Sequence, residues 1–464
     1  MKPTIGIEVH VELKSMAKVF SLSKNNFNDA VNTNINVVDI ASPGALPRLN
    51  KGVIDMALKA CLALNCKINK DMHFDRKNYF YPDLPKGYQI TQQDTPIGYD
   101  GYIQIENKKI YIERMHIEED TCKSIHTTDT LLNFNRAGVP LIEIVTKPCI
   151  SSGKEAMEYL EKLRETLLYL GISDVKIEEG SMRCDVNVSV SDTDTFGTKC
   201  EVKNIGSISN VGIAIDYEIK RQIEELNKGN VIKEQTRRFD DKTKTTVLMR
   251  YKETGNDYRY FPEPDIPFIH ISDEWIKEIS DSMPILTDEL KNKYIKLGIN
   301  NNNIKTIIAN KDICNFLESV IDKCNPVIAS NLLTGEVLSY LNKNIIKIDE
   351  TKLNQDNFIK LVDLLDKKAI SSKQGKEIIS IILESDKDVD LIIKENNMEQ
   401  ISDDSFVLEI VTKVIKENPS SVTDFKEGKD RAVKYLMGQI MKESKGKINP
   451  VIANEVLNSE LVKY

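Results

Sequence analysis

The chain has 464 residues, 41% of them hydrophobic, so there is enough apolar content for more than one core and two or three domains are expected. Sixty-three Lys and Arg against 71 Asp and Glu leave a net charge of −8, which excludes a whole-molecule field that attracts nucleic acid; any RNA contact has to be a local basic patch. The eight cysteines are scattered without a CxxC pair, which argues against a zinc cage or a secreted disulfide framework, and no run of about 18 apolar residues offers a membrane span.

The opening MKPTIGIEVHVEL goes straight into a strand pattern without a basic leader, so a soluble, cytoplasmic protein is expected. In that strand Ile5, Ile7, Val9, Val11 and Leu13 share one face, and Glu8, His10 and Glu12 share the other. A helix is predicted over 52–65. The stretch Arg114 to Asp120 places His116, Glu118 and Asp120 on one strand face and Glu119 on the other. A second helix is predicted over 153–170, opened by a capping box from Ser152 to Glu155, closed at Gly171, and buried along Ala156, Tyr159, Leu160, Leu163 and Leu167.

The Gly180-Ser181 turn then leads into a strand with Val186, Val188 and Val190 inward and Asp185, Asn187 and Ser189 outward. Beyond it, Lys199, Glu201 and Lys203 share a strand face. Arginines, aromatics and acids interleave in Thr236–Asp240 and Met249–Asp265. A domain boundary is expected near Met283-Pro284. After it, helical periodicity dominates, with helices at about 286–297, 311–323, 326–342, 355–366 and 373–384. The last 60 or so residues are expected to hold another pair of helices and a basic cluster of Lys426, Lys429, Arg431, Lys434, Lys442, Lys445 and Lys447. No internal repeat or low-complexity tail is present.

Several of these patterns carry chemistry, each beside a plainer reading. Glu8 and His10, two apart on a strand, project about 7 Å apart, which lets a carboxylate and an imidazole share a divalent ion; a solvated strand face is the alternative. The 114–120 stretch is either a second acidic contributor or a charged loop. Alternating Lys and Glu at 199–203 serve equally as cross-strand ion pairs. The Arg/Tyr-rich segment after residue 249 suits phosphate and base contacts. There is no GxxxxGK[ST] phosphate loop and no GxSxG elbow. If ATP binds, it binds on a sheet surface.

Five ordered blocks carry a resemblance: Ile5–Leu13, Phe74–Asp83, Asn135–Ile144, Gly180–Asp185 and Asp257–Asp265. On these residues the chain resembles the B subunits of aspartyl/glutamyl-tRNA amidotransferases and their archaeal E-subunit relatives. Met437–Lys442 with Asn449-Pro450 fits as well. Asn133 departs from the family pattern, in which an acid is commoner.

The resemblance implies an α+β fold: a cradle-shaped mixed-sheet domain (1–285) with a glutamine-synthetase-like kinase site, a helical domain (286–400) and a small helical tail (401–464) that touches tRNA. It implies Glu8, His10, Glu119 and Glu201 as ligands of magnesium, the choice of Glu119 over Glu118 being a matter of judgement. Arg183, Lys203 and Arg250 join Glu8 and His10 in catalysis, Arg250, Tyr258 and Arg259 hold ATP, and Lys429, Arg431 and Lys434 contact tRNA. The implied reaction is that of a ligase forming C–N bonds: the side-chain carboxylate of Glu-tRNA(Gln) or Asp-tRNA(Asn) is phosphorylated and then amidated. Ammonia would come from an amidase-type A subunit held by a small C subunit in a heterotrimer. Two rival readings are a noncatalytic tRNA-binding scaffold and a metal-dependent hydrolase. The first is disfavoured because Glu8, Glu118, Glu119, Asp185 and Glu201 repel RNA unless a cation sits among them.

Overall fold

In the computed structural model the apolar side of the first strand, Lys2–Glu12, is buried along its whole length: Ile5, Ile7, Val9 and Val11 are at most 1% exposed. The structure describes residues 1–26, 28–251, 258–396, 404–426, 431–444, 448 and 450–463. These fall into two compact units, Met1–Thr287 and Asp288–Tyr464.

In the first unit nine strands form one sheet, in the spatial order Thr245–Tyr251, Gln235–Asp240, Cys200–Lys203, Met182–Ser191, Lys2–Glu12, Pro140–Thr146, Lys109–Glu119, Gly98–Gln104, Lys67–Ile68. All neighbours pair antiparallel except Cys200–Lys203 with Gln235–Asp240, which are parallel. Period-2 alternation gives the sheet one apolar and one polar face. The apolar face packs on the helices Lys51–Ala63, Gly153–Leu170 and Ile208–Asn227 through Leu58, Leu160, Leu163, Val211 and Ile215, all fully buried. Each such Leu or Ile contributes roughly 1.5–3 kcal/mol.

Local sequence signals explain the helix ends. Ser152 caps Gly153–Leu170 by accepting the Glu155 amide, and Gly171 closes it in the left-handed region at φ 72°. The reciprocal half of the expected capping box is shifted: the Glu155 carboxylate takes the amide and hydroxyl of Ser151. Where this helix meets Ile208–Asn227, a Cβ on Gly153 would sit 2.5 Å from the Gly212 carbonyl oxygen, so the close approach requires glycine.

The second unit is helical. Thr287–Lys296, Lys311–Val320, Gln355–Asp366 and Ser372–Glu384 match expectation closely. The predicted 326–342 helix is interrupted by a π-helical turn at Leu333–Val337 between Pro326–Leu332 and Leu338–Asn344. Asn301–Ala309 and Val389–Glu395 lie outside the expected helices, being short. The terminal segment holds four described helices rather than a pair: Asp404–Glu417, Pro419–Lys426, Arg431–Glu443 and Pro450–Leu461. They share a core that includes Val407, Val411, Leu436, Ile440 and Leu457. Among the described residues no helix is long and apolar enough to cross a membrane, and all eight cysteines are free thiols.

Candidate active site

Strand register assembles the polar face. Across four adjacent strands Arg183 pairs with His10, His10 with Glu143, and Glu143 with His116. One step along, Asp185 pairs with Glu8, Glu8 with Val145, and Val145 with Arg114. A bulge at Val145/Thr146 resets the register, so that Ile112 and Met115 both face the core while Arg114 and His116 face the site.

The row converges on His10. Its Nε2 lies 3.4 Å from Glu118 Oε1 and 3.4 Å from Glu143 Oε2. His116 Nε2 is 3.1 Å from Glu143 Oε2, and its buried Nδ1 has no hydrogen-bond partner among the described residues. One donor atom from each of His10, Glu118 and Glu143 falls within 4.8 Å of the others. Burial opposes a charge on His10, but Glu143 and Glu118 outweigh it and push its pKa up to about 9. Burial, reinforced by Glu143, pushes the Glu118 carboxyl up. Burial acts the same way on Glu143, yet His116 and His10 hold it well below the usual carboxylate range.

Beside this group the acids are under-compensated. Burial raises the pKa of Glu8, with Glu143, Glu201 and Asp185 adding to the shift, and its hydrogen-bond donor is the Asn187 amide at 2.9 Å. Lys203 bridges Asp185 at 2.6 Å and Glu201 at 3.2 Å. Arg183 pairs with Asp120 at 2.6 Å while its buried Nε lacks a partner among the described residues. One imidazole and several carboxylates around a negative surplus fit a divalent cation of the magnesium or manganese class. A cavity of about 410 Å³ opens beside His10, Arg183, Asp185 and Lys203, and one of about 290 Å³ beside Glu8, Asn187 and Phe196.

The other expected residues are placed as follows. Glu201 lies one strand from Asn187 on the same polar face, and it accepts the Thr236 hydroxyl at 3.0 Å. Glu119 is on the opposite face from His10: it pairs with Lys86 and accepts the Ile90 amide at 3.0 Å, so strand parity brings Glu118 to His10 instead. Arg250 is exposed on the edge strand Thr245–Tyr251, opposite Thr236. Tyr258 packs edge-on against Tyr79 and Tyr260, and the Arg259 carbonyl accepts the Asn78 amide at 2.8 Å. Arg431 and Lys434 are exposed on Arg431–Glu443; Lys429 and Asp257 lie outside the described residues.

Three site residues escape the sequence reading. Glu143 sits in the well-matched Asn135–Ile144 block, and its strand alternation with Leu141 and Val145 marks it as the polar member of an otherwise apolar row. Alternation places His116 on the right face without assigning it a role. Lys77 stands in the Phe74–Asp83 block: burial works against its charge, but Glu118 and Glu143 raise its pKa, and its ammonium lies 5.0 Å over the Tyr258 ring.

Comparison with known proteins agrees with the blocks read above. Residues 3–277 match the GatB/GatE catalytic domain and residues 315–461 the GatB domain. The B subunit of the aspartyl/glutamyl-tRNA(Asn/Gln) amidotransferase of Bacillus licheniformis is 46% identical over 469 residues, covering 99% of this chain and 98% of the relative. The B subunit of the same name from Oenococcus oeni is 45% identical over 99% of this chain and 98% of its own length, and the one from Bacillus cereus is 44% identical over 100% and 99%. With family models over residues 3–277 and 315–461 and relatives aligned over 99% or more of its length, the chain belongs to the GatB/GatE family.

Proposed function

We propose that the chain does the work for which its relatives are named, as the B subunit of a tRNA-dependent amidotransferase, and that the His10 face is where a carboxylate is activated. The observation that carries this reading is the acid-rich row of buried Glu118 and half-buried His10, Glu143 and Glu8, flanked by Lys77, Arg183 and Lys203. A surplus of buried carboxylates beside oriented cations suits a site that receives phosphate oxygens together with a divalent ion.

In the proposed reaction the γ-phosphoryl group of ATP passes to the side-chain carboxylate of tRNA-bound Glu or Asp, releasing ADP. Ammonia then displaces phosphate from the acyl phosphate to leave Gln or Asn. A magnesium ion held by His10, Glu118 and Glu143, with Glu8 and Glu201 close by, would supply charge neutralisation for the transferring group. Lys203, locked by Asp185 and Glu201, and Arg183, locked by Asp120, present fixed cations to anionic substrate. Tyr258, Arg259 and Arg250 extend the surface for nucleotide. The chain supplies no recognisable glutaminase motif, so an amidase-type A subunit and a small C subunit complete a cytoplasmic heterotrimer. In this reading residues 1–285 form a cradle for the aminoacyl end, 286–400 a helical spacer, and 401–464 a tail against the tRNA body.

The test is conversion of Glu-tRNA(Gln) to Gln-tRNA(Gln) by the chain assembled with its two partners, with and without ATP. ATP-dependent conversion by the wild type, abolished by His10→Ala, is expected. Full conversion by His10→Ala would show that the chemistry lies elsewhere.

A further inference from the structure

Away from the His10 face, the described residues hold a second group of side chains arranged as metal ligands: His73, Asp75 and Asp94, one donor atom of each lying within 4.8 Å of the others. His73 and Asp75 flank Phe74 where the strand Asp71–Met72 passes into Asp75–Asn78, and Asp94 is in the loop after Tyr88–Thr91. Asp75 is 1% exposed, and a buried carboxylate is costly unless its charge is met. Its Oδ2 takes the backbone amides of Gln93 at 2.7 Å and Asp94 at 3.2 Å. Its Oδ1 lies 3.2 Å from His73 Nε2.

That separation is not a hydrogen bond. His73 Nε2 is buried and has no hydrogen-bond partner among the described residues, so the N–H direction misses Asp75. The distance is instead close to the roughly 3.3 Å between two ligand atoms of a tetrahedral ion with bonds of about 2.0 Å. The rest of the ring is fixed as a metal ligand's usually is. Nδ1 lies 3.1 Å from the Thr95 hydroxyl, which also accepts the His73 amide at 2.9 Å. Phe268 covers the imidazole with ring centroids 5.1 Å apart, while Asp94 is exposed and leaves an ion a way in.

We propose that His73, Asp75 and Asp94 bind a divalent transition-metal ion of the zinc type, with water completing its coordination. The 3.2 Å donor separation and the small donor set suit a four-coordinate zinc ion, whereas at the His10 face the donors lie 3.4 Å apart and Glu8 and Glu201 add the further oxygens that magnesium's octahedral shell favours. The ion ties the loop at 92–97 to the strand Asp75–Asn78. On that strand Arg76 clamps Glu263 at 2.7 Å, and Lys77 comes next. The site is thus a clamp at the start of the strand that carries Lys77, and it stands whether or not the His10 face carries the reaction proposed above.

The experiment is zinc binding by the purified, metal-stripped full chain in magnesium-containing buffer, by equilibrium dialysis, for wild type, His73→Ala, Asp94→Asn and His10→Ala. His73→Ala and Asp94→Asn are expected to hold one zinc equivalent fewer than wild type, an equivalent that His10→Ala retains. Cobalt in its place should give a tetrahedral visible spectrum that vanishes in the same two variants. Because Asp94 is exposed, Asp94→Asn keeps the fold, which circular dichroism verifies. If either of those two variants keeps the wild-type stoichiometry, or if the wild type takes up no zinc, the contact is a plain imidazole–carboxylate pair and the proposal is overturned.

Discussion

Two of the places where the first unit takes charge out of water handle it in opposite ways. At the sheet's far end Glu218, fully buried, receives Arg221 at 2.6 Å, Gln222 at 2.9 Å, the Thr246 hydroxyl at 2.9 Å and Arg237 at 3.5 Å. Burial alone would raise its pKa, but Arg221 and its neighbours turn the shift downward. On the polar face Glu8 has a single amide donor and three acidic neighbours, and its pKa rises. A balanced network costs little to keep and holds elements together, whereas an unbalanced one persists only if something outside the chain offsets it. On that difference, without reference to relatives, rests the proposal that the Glu218 cluster is structural and the Glu8 cluster functional.

The largest effect should come from the unbalanced cluster. Glu8→Gln and Glu118→Gln are expected to lower ATP-dependent amidation by about 10²- to 10³-fold, while the thermal midpoint stays level or rises as repulsion is relieved. Steady-state rates and melting curves on the same preparations check both halves. A fall in stability without loss of rate would erase the distinction between the two clusters.

Glu218→Gln should do the reverse. Removing the acid leaves Arg221 and Arg237 buried without their counterion, at about 3 kcal/mol of stability, with the rate per folded molecule retained. The pH dependence has a definite sign. Because the folded-state pKa of Glu218 is depressed, its contribution is present above the unfolded carboxylate range and fades as pH falls through the folded value. Urea midpoints of wild type and variant should therefore differ at neutral pH and converge in acid.

A smaller and more local test concerns the two adjacent glutamates. Glu119→Gln replaces a charged acceptor of Lys86 and the Ile90 amide, so about 1–2 kcal/mol of stability should go while amidation continues. If Glu119→Gln instead matches Glu118→Gln in rate, strand parity does not decide which glutamate serves the site.

That pair also shows how far the sequence can be read. Alternation places Glu8, His10 and Glu12 on one face, and Asp185 and Asn187 on another strand's outer face, because a half-buried strand writes its two faces into the residue pattern. The same alternation sets Glu118 apart from Glu119, but which of those faces meets His10 depends on register. Register is settled by the bulge at Val145/Thr146, a feature with no local signature. Glu143 is hidden for a related reason: a lone acid in Pro140–Thr146 has no neighbour in sequence to suggest a site, and it gains His10 and His116 only through pairing with two strands. The helical unit is legible where periodic faces run longer than about ten residues. It is not where helices are as short as Val389–Glu395.

The smallest expected effect lies in the terminal helices and extends the comparison to exposed charge. Arg431 and Lys434 are three apart and exposed, outside the buried Ala432, Leu436 and Ile440. Cations in a first helical turn oppose the helix dipole by a few tenths of a kcal/mol, so stability is not what places Arg431 there. A phosphate ligand would. Replacing Lys429, Arg431 and Lys434 by Glu should weaken binding of the tRNA by about tenfold or more at low salt and flatten the dependence of affinity on ionic strength. Glutamine hydrolysis by the assembled partner should continue unchanged. Affinity measured across a salt series decides it: an unaltered slope would remove these residues from the RNA surface and leave the −8 chain without a basic patch from this cluster.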